Sequence, residues 1–215
     1  MAGWSARRIS CLAEALGFVA YVAWYIWRGQ AMMPATWWVF AAWLVVSFVV
    51  RRDTPKTLGF RGDNLWPATW RAALFFGVAS VAVCGAGLFL GMLQRPASHL
   101  SEPRKLVGYF AFCLLQQVGL NSLVTNRLLG AFEKRWPAAV LAGVLFAALH
   151  WPNPVLVPLT FVGGAGMAWL FARERNILPL AVGQAILGAL VWWAFPLAWH
   201  HSMRVGPGYW GFRSF

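Results

Sequence analysis

The sequence predicts an all-α fold, a polytopic membrane bundle of about seven transmembrane helices with room for a short eighth near the C-terminus. Three observations predict it. The chain of 215 residues is 60% hydrophobic and 11% charged, where soluble domains carry about 25% charged residues. Its apolar residues come in long unbroken runs rather than amphipathic stripes, and about 20 of them is what a helix needs to cross a hydrocarbon core of roughly 30 Å. Prolines gather at the ends of those runs (Pro34, Pro96, Pro137, Pro152, Pro154, Pro179), where a missing N–H costs least. Inside a bilayer every backbone polar group needs a partner within its own helix or a neighbour, so helices are expected throughout.

The expected spans are Ile9 to Trp27, Pro34 to Val50, Ala72 to Leu93, Leu106 to Asn126, Pro137 to His150, Pro154 to Ala172 and Ile177 to Phe195. The first run has no small-residue cleavage site at a suitable distance, so it reads as a retained span rather than a signal peptide. The polar connection RRDTPKTLGFRGDNLWPATW separates the first two spans from the rest. The chain thus divides at 1–71, two N-terminal helices and their loop, and 72–215, a core whose polar-bearing helices lie near 106–127, 137–150 and 177–195. Within the third span, Gly87 to Gly91 form a GxxxG match that reads as a packing face.

A net charge of +12 invites a nucleic-acid reading, but placement excludes it. Basic residues sit at span ends, and those on the side of Arg7, Arg8, the 51–71 connection, Arg127, Lys134, Arg135, Arg173 and Arg175 outnumber those on the other. The positive-inside rule then puts the N-terminus in the cytoplasm and the C-terminus outside, as in a bacterial inner membrane; an eighth span would reverse only the tail. The expected partner of these cations is membrane lipid. Cys11, Cys84 and Cys113 form no CxxC pair, which argues against a disulfide framework or thiolate metal site and makes them small apolar fillers. Trp24, Trp27, Trp37, Trp38, Trp192, Trp193 and Trp199 read as interfacial belts, and His99, His200 and His201 lie near span ends with no role assigned.

Polar groups at membrane depth mark where chemistry is to be sought. In FAFCLLQQVGLNSLVTNRLL (110–129), Gln117 and Asn121 are four apart and share a helix face with Cys113 and Thr125, while Gln116 lies about 100° around the helix. His150 closes the fifth span with Phe146 one turn below it, and Gln184 sits in the seventh with Gly188 one turn on. Gln117, Gln184 and His150 lie roughly 10, 8 and 14 residues from the cytoplasmic ends of their spans, or about 15, 12 and 21 Å deep. Two readings are open: the amides join helices by hydrogen bonds and His150 caps a helix end, or the three positions line one pocket.

In their order and spacing these residues resemble the CAAX-protease and bacteriocin-processing family (Abi, or Rce1-like) of intramembrane metalloproteases. Its motifs are a Glu-Glu-x-x-x-Arg helix, a Phe-x-x-x-His helix and a helix with His-x-x-x-Asn or Asp; here QQVGLN, FAALH and QAILG stand in those places. KTLGFR, residues 56 to 61, and FVGGAGMAWLFARERNILPLAVGQA resemble the family's surrounding segments, so the likeness covers roughly 105 to 192 and extends more weakly back to 55. The resemblance makes Gln116, Gln117, Asn121, His150 and Gln184 the catalytic positions, of which only His150 keeps the family's identity; the partner asparagine becomes Gly188. It implies Zn²⁺ as the cofactor if the family's chemistry survives, with His150 as the ligand that remains.

Glutamate can accept a proton and bind a cation; a glutamine amide can do neither usefully. A catalytic zinc generally needs three protein ligands from His, Asp, Glu and Cys, and Glu14, Glu102, Glu133 and Glu174 stand near other spans or at the cytoplasmic surface. The expectation is an adapted neutral pocket, proteolytically inactive or altered. The alternatives are a divergent active endopeptidase on a prenylated or leader-peptide substrate with His150 as base, a scaffold holding an isoprenoid, a lipidated peptide or a partner transmembrane helix, and a lipid-modifying enzyme using the same cavity.

Overall fold

The computed structural model describes residues 5–93 and 103–211; Arg95, Pro96, His99, Glu102 and Arg213 lie outside the described residues. Every regular element is helical, and seven apolar helices carry the fold: α1 (Ala6–Met32), α2 (Pro34–Val50), α3 (Leu65–Phe89), α4 (Arg104–Ala131), α5 (Arg135–Ala148), α6 (Leu156–Glu174) and α7 (Leu178–Ala194). Four of them, α1, α3, α4 and α6, are long and apolar enough to cross a membrane, and the other three are shorter. An apolar helix therefore forms at each expected span, four of them at spanning length. α3 begins earlier than expected, at Leu65, so Arg71 lies within it. α5 ends at Ala148, so His150 stands in the turn beyond it rather than on the helix.

Local chemistry explains the breaks. Ser5 caps α1 by accepting from the Arg8 N–H, and Pro34 opens α2 at a position where no N–H is needed. In the connection that follows, Thr54 and Thr57 form a capping box around the one-turn helix Pro55–Leu58, which Gly59 ends at φ 90°. Only glycine adopts that backbone freely. A Cβ there would also press within 2.7 Å of the Phe171 ring, and the Gly59 carbonyl accepts from the Ile177 N–H at 3.0 Å. The loop is thereby pinned to the turn between α6 and α7.

The helices pack where side chains are small. α5 and α6 form a close hairpin in which a Cβ at Gly143 would sit 2.6 Å from the Phe161 carbonyl. α3 crosses α7 with the Phe76 ring filling the space over Gly183 and with Gly87 against the Ala194 backbone, whereas Gly91 stands beyond the helix end in open space, so the GxxxG run packs through Gly87 alone. The core gathers Phe18 from α1, Leu123 and Leu128 from α4, Phe146 from α5, Met167 and Phe171 from α6 and Leu180 from α7. Outward-facing residues are equally apolar: Val49 is 70% exposed, Val81 74% and Phe89 90%. Such a surface suits lipid and not water, and the protein is an integral membrane helix bundle.

The eighth span does not form among the described residues. After α7 the chain breaks into short turns, Leu197–His200 and Pro207–Trp210. Asn153 donates to the His200 and Arg204 carbonyls at 2.8 and 3.0 Å, and the Gly206 N–H donates to the Trp151 carbonyl at 2.8 Å. The tail is thus tied to the α5–α6 connection. Trp24, Trp37, Trp38 and Trp199 are exposed, whereas Trp27 and Trp192 turn to Trp210 and His200.

Candidate functional site

The central feature is a change of helix type in α4. The segment is α-helical to Gln117, widens to a π-helix over Val118–Thr125, and returns to α from Asn126. π-turns inside α-helices occur often at functional sites. Six consecutive residues within it, Leu120 to Thr125, are buried. The Thr125 hydroxyl faces both the Leu120 carbonyl, at 2.9 Å, and the Asn121 side-chain oxygen, at 3.0 Å.

From that hydroxyl a single directed chain of hydrogen bonds crosses the bundle. Asn121 Nδ2 donates to Gln117 Oε1 at 2.6 Å, Gln117 Nε2 donates to Gln184 Oε1 at 2.5 Å, and Gln184 Nε2 donates to Gln116 Oε1 at 2.6 Å. Gln117 spends its second N–H on the Met167 sulfur of α6 at 2.9 Å. Gln117 and Asn121 are fully buried. The four amides therefore do converge, on α4 and α7, and each answers the next. Gln117 has reached its donor limit, since an amide nitrogen carries two N–H groups. Aligned bonds of this kind polarise one another in a low dielectric, and the assembly carries no net charge.

His150 stands apart from that chain. Its Nδ1 is 2.7 Å from the Phe146 carbonyl in the last turn of α5, and its ring meets the Phe146 ring edge-on at 4.6 Å. A carbonyl only accepts, so the proton sits on Nδ1 and Nε2 is the basic nitrogen. The described hydrogen bond of His150 does not reach the amides.

Two features escaped the sequence reading. A Cβ at Gly188 would overlap the Tyr109 hydroxyl, so Tyr109 occupies the space that a side chain at 188 would need; its hydroxyl also bonds with the Cys113 thiol. The spacing Tyr109, Cys113, Gln117 (i, i+4, i+8) was the available signal. The second is an ionic cluster around Arg127, counted from sequence as a cation at a span end but in fact 4% exposed. Arg127 Nε donates to Glu14 at 2.9 Å, and Nη2 donates to Asp53 at 2.6 Å and the Ser47 hydroxyl at 2.7 Å. Glu14 accepts also from Arg51, at 2.9 Å, and from the Ser47 hydroxyl. Glu14 is thus no bystander near another span: it ties α1 to α2 and to the motif helix α4. An acid inside an apolar run was its signal.

The residues present do not fit a catalytic zinc. Such a site needs about three ligands from His, Asp, Glu and Cys, and among the described residues no group of three or more comes together. The amide oxygens of Gln117, Asn121 and Gln184 already accept from Asn121, the Thr125 hydroxyl and Gln117, and the carboxylates of Glu14 and Asp53 are held by arginines.

A family model described as Type II CAAX prenyl endopeptidase Rce1-like matches residues 4–190. No curated protein and no solved structure matches the chain.

Proposed function

The chain belongs to the type II CAAX prenyl endopeptidase Rce1-like family, and from that premise we propose that it is a CAAX-protease-like membrane protein whose proteolytic chemistry is lost or altered. The observation that carries this reading is the amide chain Thr125–Asn121–Gln117–Gln184–Gln116. It stands where the resemblance places a base and metal ligands. Hydrolysis of a peptide bond needs a group that takes a proton from water or a metal that acidifies it. Amides satisfied by other amides do neither. What they do supply is a neutral tie between α4, α6 and α7. Interhelical side-chain hydrogen bonds in membranes average about 0.6 kcal/mol, so the three that cross helices contribute about 2 kcal/mol.

The orientation proposed is N-terminus cytoplasmic in a bacterial inner membrane, supported by the basic residues gathered at the end that holds Arg7, Arg8 and the 51–64 connection. One observation favours a second reading, a divergent endopeptidase: the Phe146 carbonyl orients His150 so that Nε2 could act as a base. The experiment that separates the two offers purified protein prenylated and leader-peptide substrates, with and without added Zn²⁺, beside a relative bearing the paired glutamates. Cleavage by the relative alone supports the proposal. Cleavage by this chain that disappears in His150→Ala establishes the second reading and ends the first.

A further inference from the structure

Beyond α7 the chain folds back, over residues 196–211, onto the connection between α5 and α6. Asn153, itself fully buried, fastens it: the side chain donates to the His200 and Arg204 carbonyls and accepts from the Val155 and Leu156 N–H groups. The Gly206 N–H closes on the carbonyl of Trp151, one residue from His150. The segment also bears on α1, where Ile26 lies against Gly206 and Trp27 meets Trp210 at 5.7 Å. Its backbone is not relaxed. His201, Ser202 and Met203 stand consecutively at φ 43°, 56° and 59°, left-handed conformations that a residue with a Cβ adopts only at a cost. The contacts around this turn hold a shape that the chain would not keep unaided.

His200 is part of the fastening. It is 1% exposed, its ring meets the Trp192 ring at 4.9 Å, and its Nδ1 has no hydrogen-bond partner, where buried polar atoms ordinarily have one. A neutral imidazole carries one N–H; an imidazolium carries two, and a charge. The elements that touch His200 supply no carboxylate to meet that charge. α7 has no titratable side chain, the α5–α6 connection has His150 alone, and the returning segment has His201, Arg204 and Tyr209. His201 is itself turned to the Tyr209 carbonyl, at 2.8 Å. Burial holds the His200 pKa below its ordinary value; the Phe195 carbonyl opposes this and the charge of His201 adds to it.

We propose that residues 196–211 form an acid-released strap, in which protonation of His200 frees them from the connection that carries His150. The docked state disfavours the charged ring. Docking is therefore full above the ordinary histidine pKa of about 6.5 and is lost as pH falls below it, each pH unit raising the open population up to about tenfold.

The test is backbone hydrogen exchange on the full chain in detergent at pH 8 and pH 5, corrected for the intrinsic exchange rate. Protection over 196–211 is expected to fall about tenfold at pH 5, while that of α7 stays the same. His200→Phe, which keeps a ring against Trp192, and His200→Gln are each expected to abolish the fall, and His201→Gln to keep it. Equal protection at the two pH values in the wild type overturns the proposal, and that comparison decides by itself should neither His200 variant fold. A fall that persists in a folded His200 variant, that disappears in His201→Gln, or that α7 shares overturns it equally.

Discussion

Replacing Gln117 by glutamate puts a carboxyl group at the centre of the amide chain and should destabilise the protein. Gln117 Nε2 is a donor to Gln184 Oε1 at 2.5 Å and to the Met167 sulfur at 2.9 Å. A carboxylate would set oxygen against oxygen at the first contact and lose both donors, keeping only the bond accepted from Asn121. No described arginine or lysine bonds to this chain, and an unpaired buried charge costs several kcal/mol, so the folded variant holds the group protonated, with one donor left. The deficit is then one lost donor and one unmatched acceptor, about 2–3 kcal/mol. For a chain of 215 residues that lowers Tm by about 4–12 °C. The sign of the pH dependence follows from linkage. The folded variant keeps a proton that the unfolded chain releases above the ordinary carboxyl range, so its stability falls as pH rises, and the deficit is larger at pH 8 than at pH 5. Thermal unfolding in detergent, followed by tryptophan fluorescence at both pH values, measures it. A variant as stable as wild type at pH 8 would refute the reasoning, because it would mean that residue 117 is open to water or metal rather than locked among amides.

The same geometry gives further expectations. Gly188→Asn forces a side chain into the space of the Tyr109 hydroxyl and should cost about 1–3 kcal/mol; a double variant with Tyr109→Ala should recover most of it in a thermal-unfolding cycle. Glu14→Gln strips one carboxylate from the buried Arg127, and with Asp53 still in place the loss should fall at the lower end of the range for broken buried pairs, about 3 kcal/mol, read as lowered Tm and yield. Asp63, outside the membrane helices, is held at a pKa of about 2, chiefly by its hydrogen bond from Arg61. A depressed carboxyl contributes stability above its unfolded value and loses it as pH falls toward 2, so Asp63→Asn should flatten the response of the wild type between pH 5 and 2 in an acid-unfolding titration.

Much of this was legible in the residues, for identifiable reasons. Apolar runs and terminal prolines located all seven helices because membrane helices must satisfy their own backbone. The four-residue spacing of Gln117, Asn121 and Thr125 placed them on one buried line, since each lies one helical turn from the next. Gln116 was expected off that line, and it is; Gln184 reaches it from α7, a contact that no local pattern encodes. The π-helix at 118–125 was not legible, because the sequence there carries no proline or glycine pair to mark a change of pitch. Arg127 was misread as a surface cation because its partners lie 80 and 113 residues away in the chain. Charge at a span end looks the same in sequence whether it meets water or a buried carboxylate.

The central claim proposed above is that a chain of amides stands in place of a metal-activating site, and zinc content tests it most directly. The measurement is zinc per chain by elemental mass spectrometry on protein purified with Zn²⁺ present and then freed of loosely held metal, beside His150→Ala. The account predicts far less than one zinc per chain, equal in both proteins. One zinc per chain in the wild type, lost in His150→Ala, would contradict it.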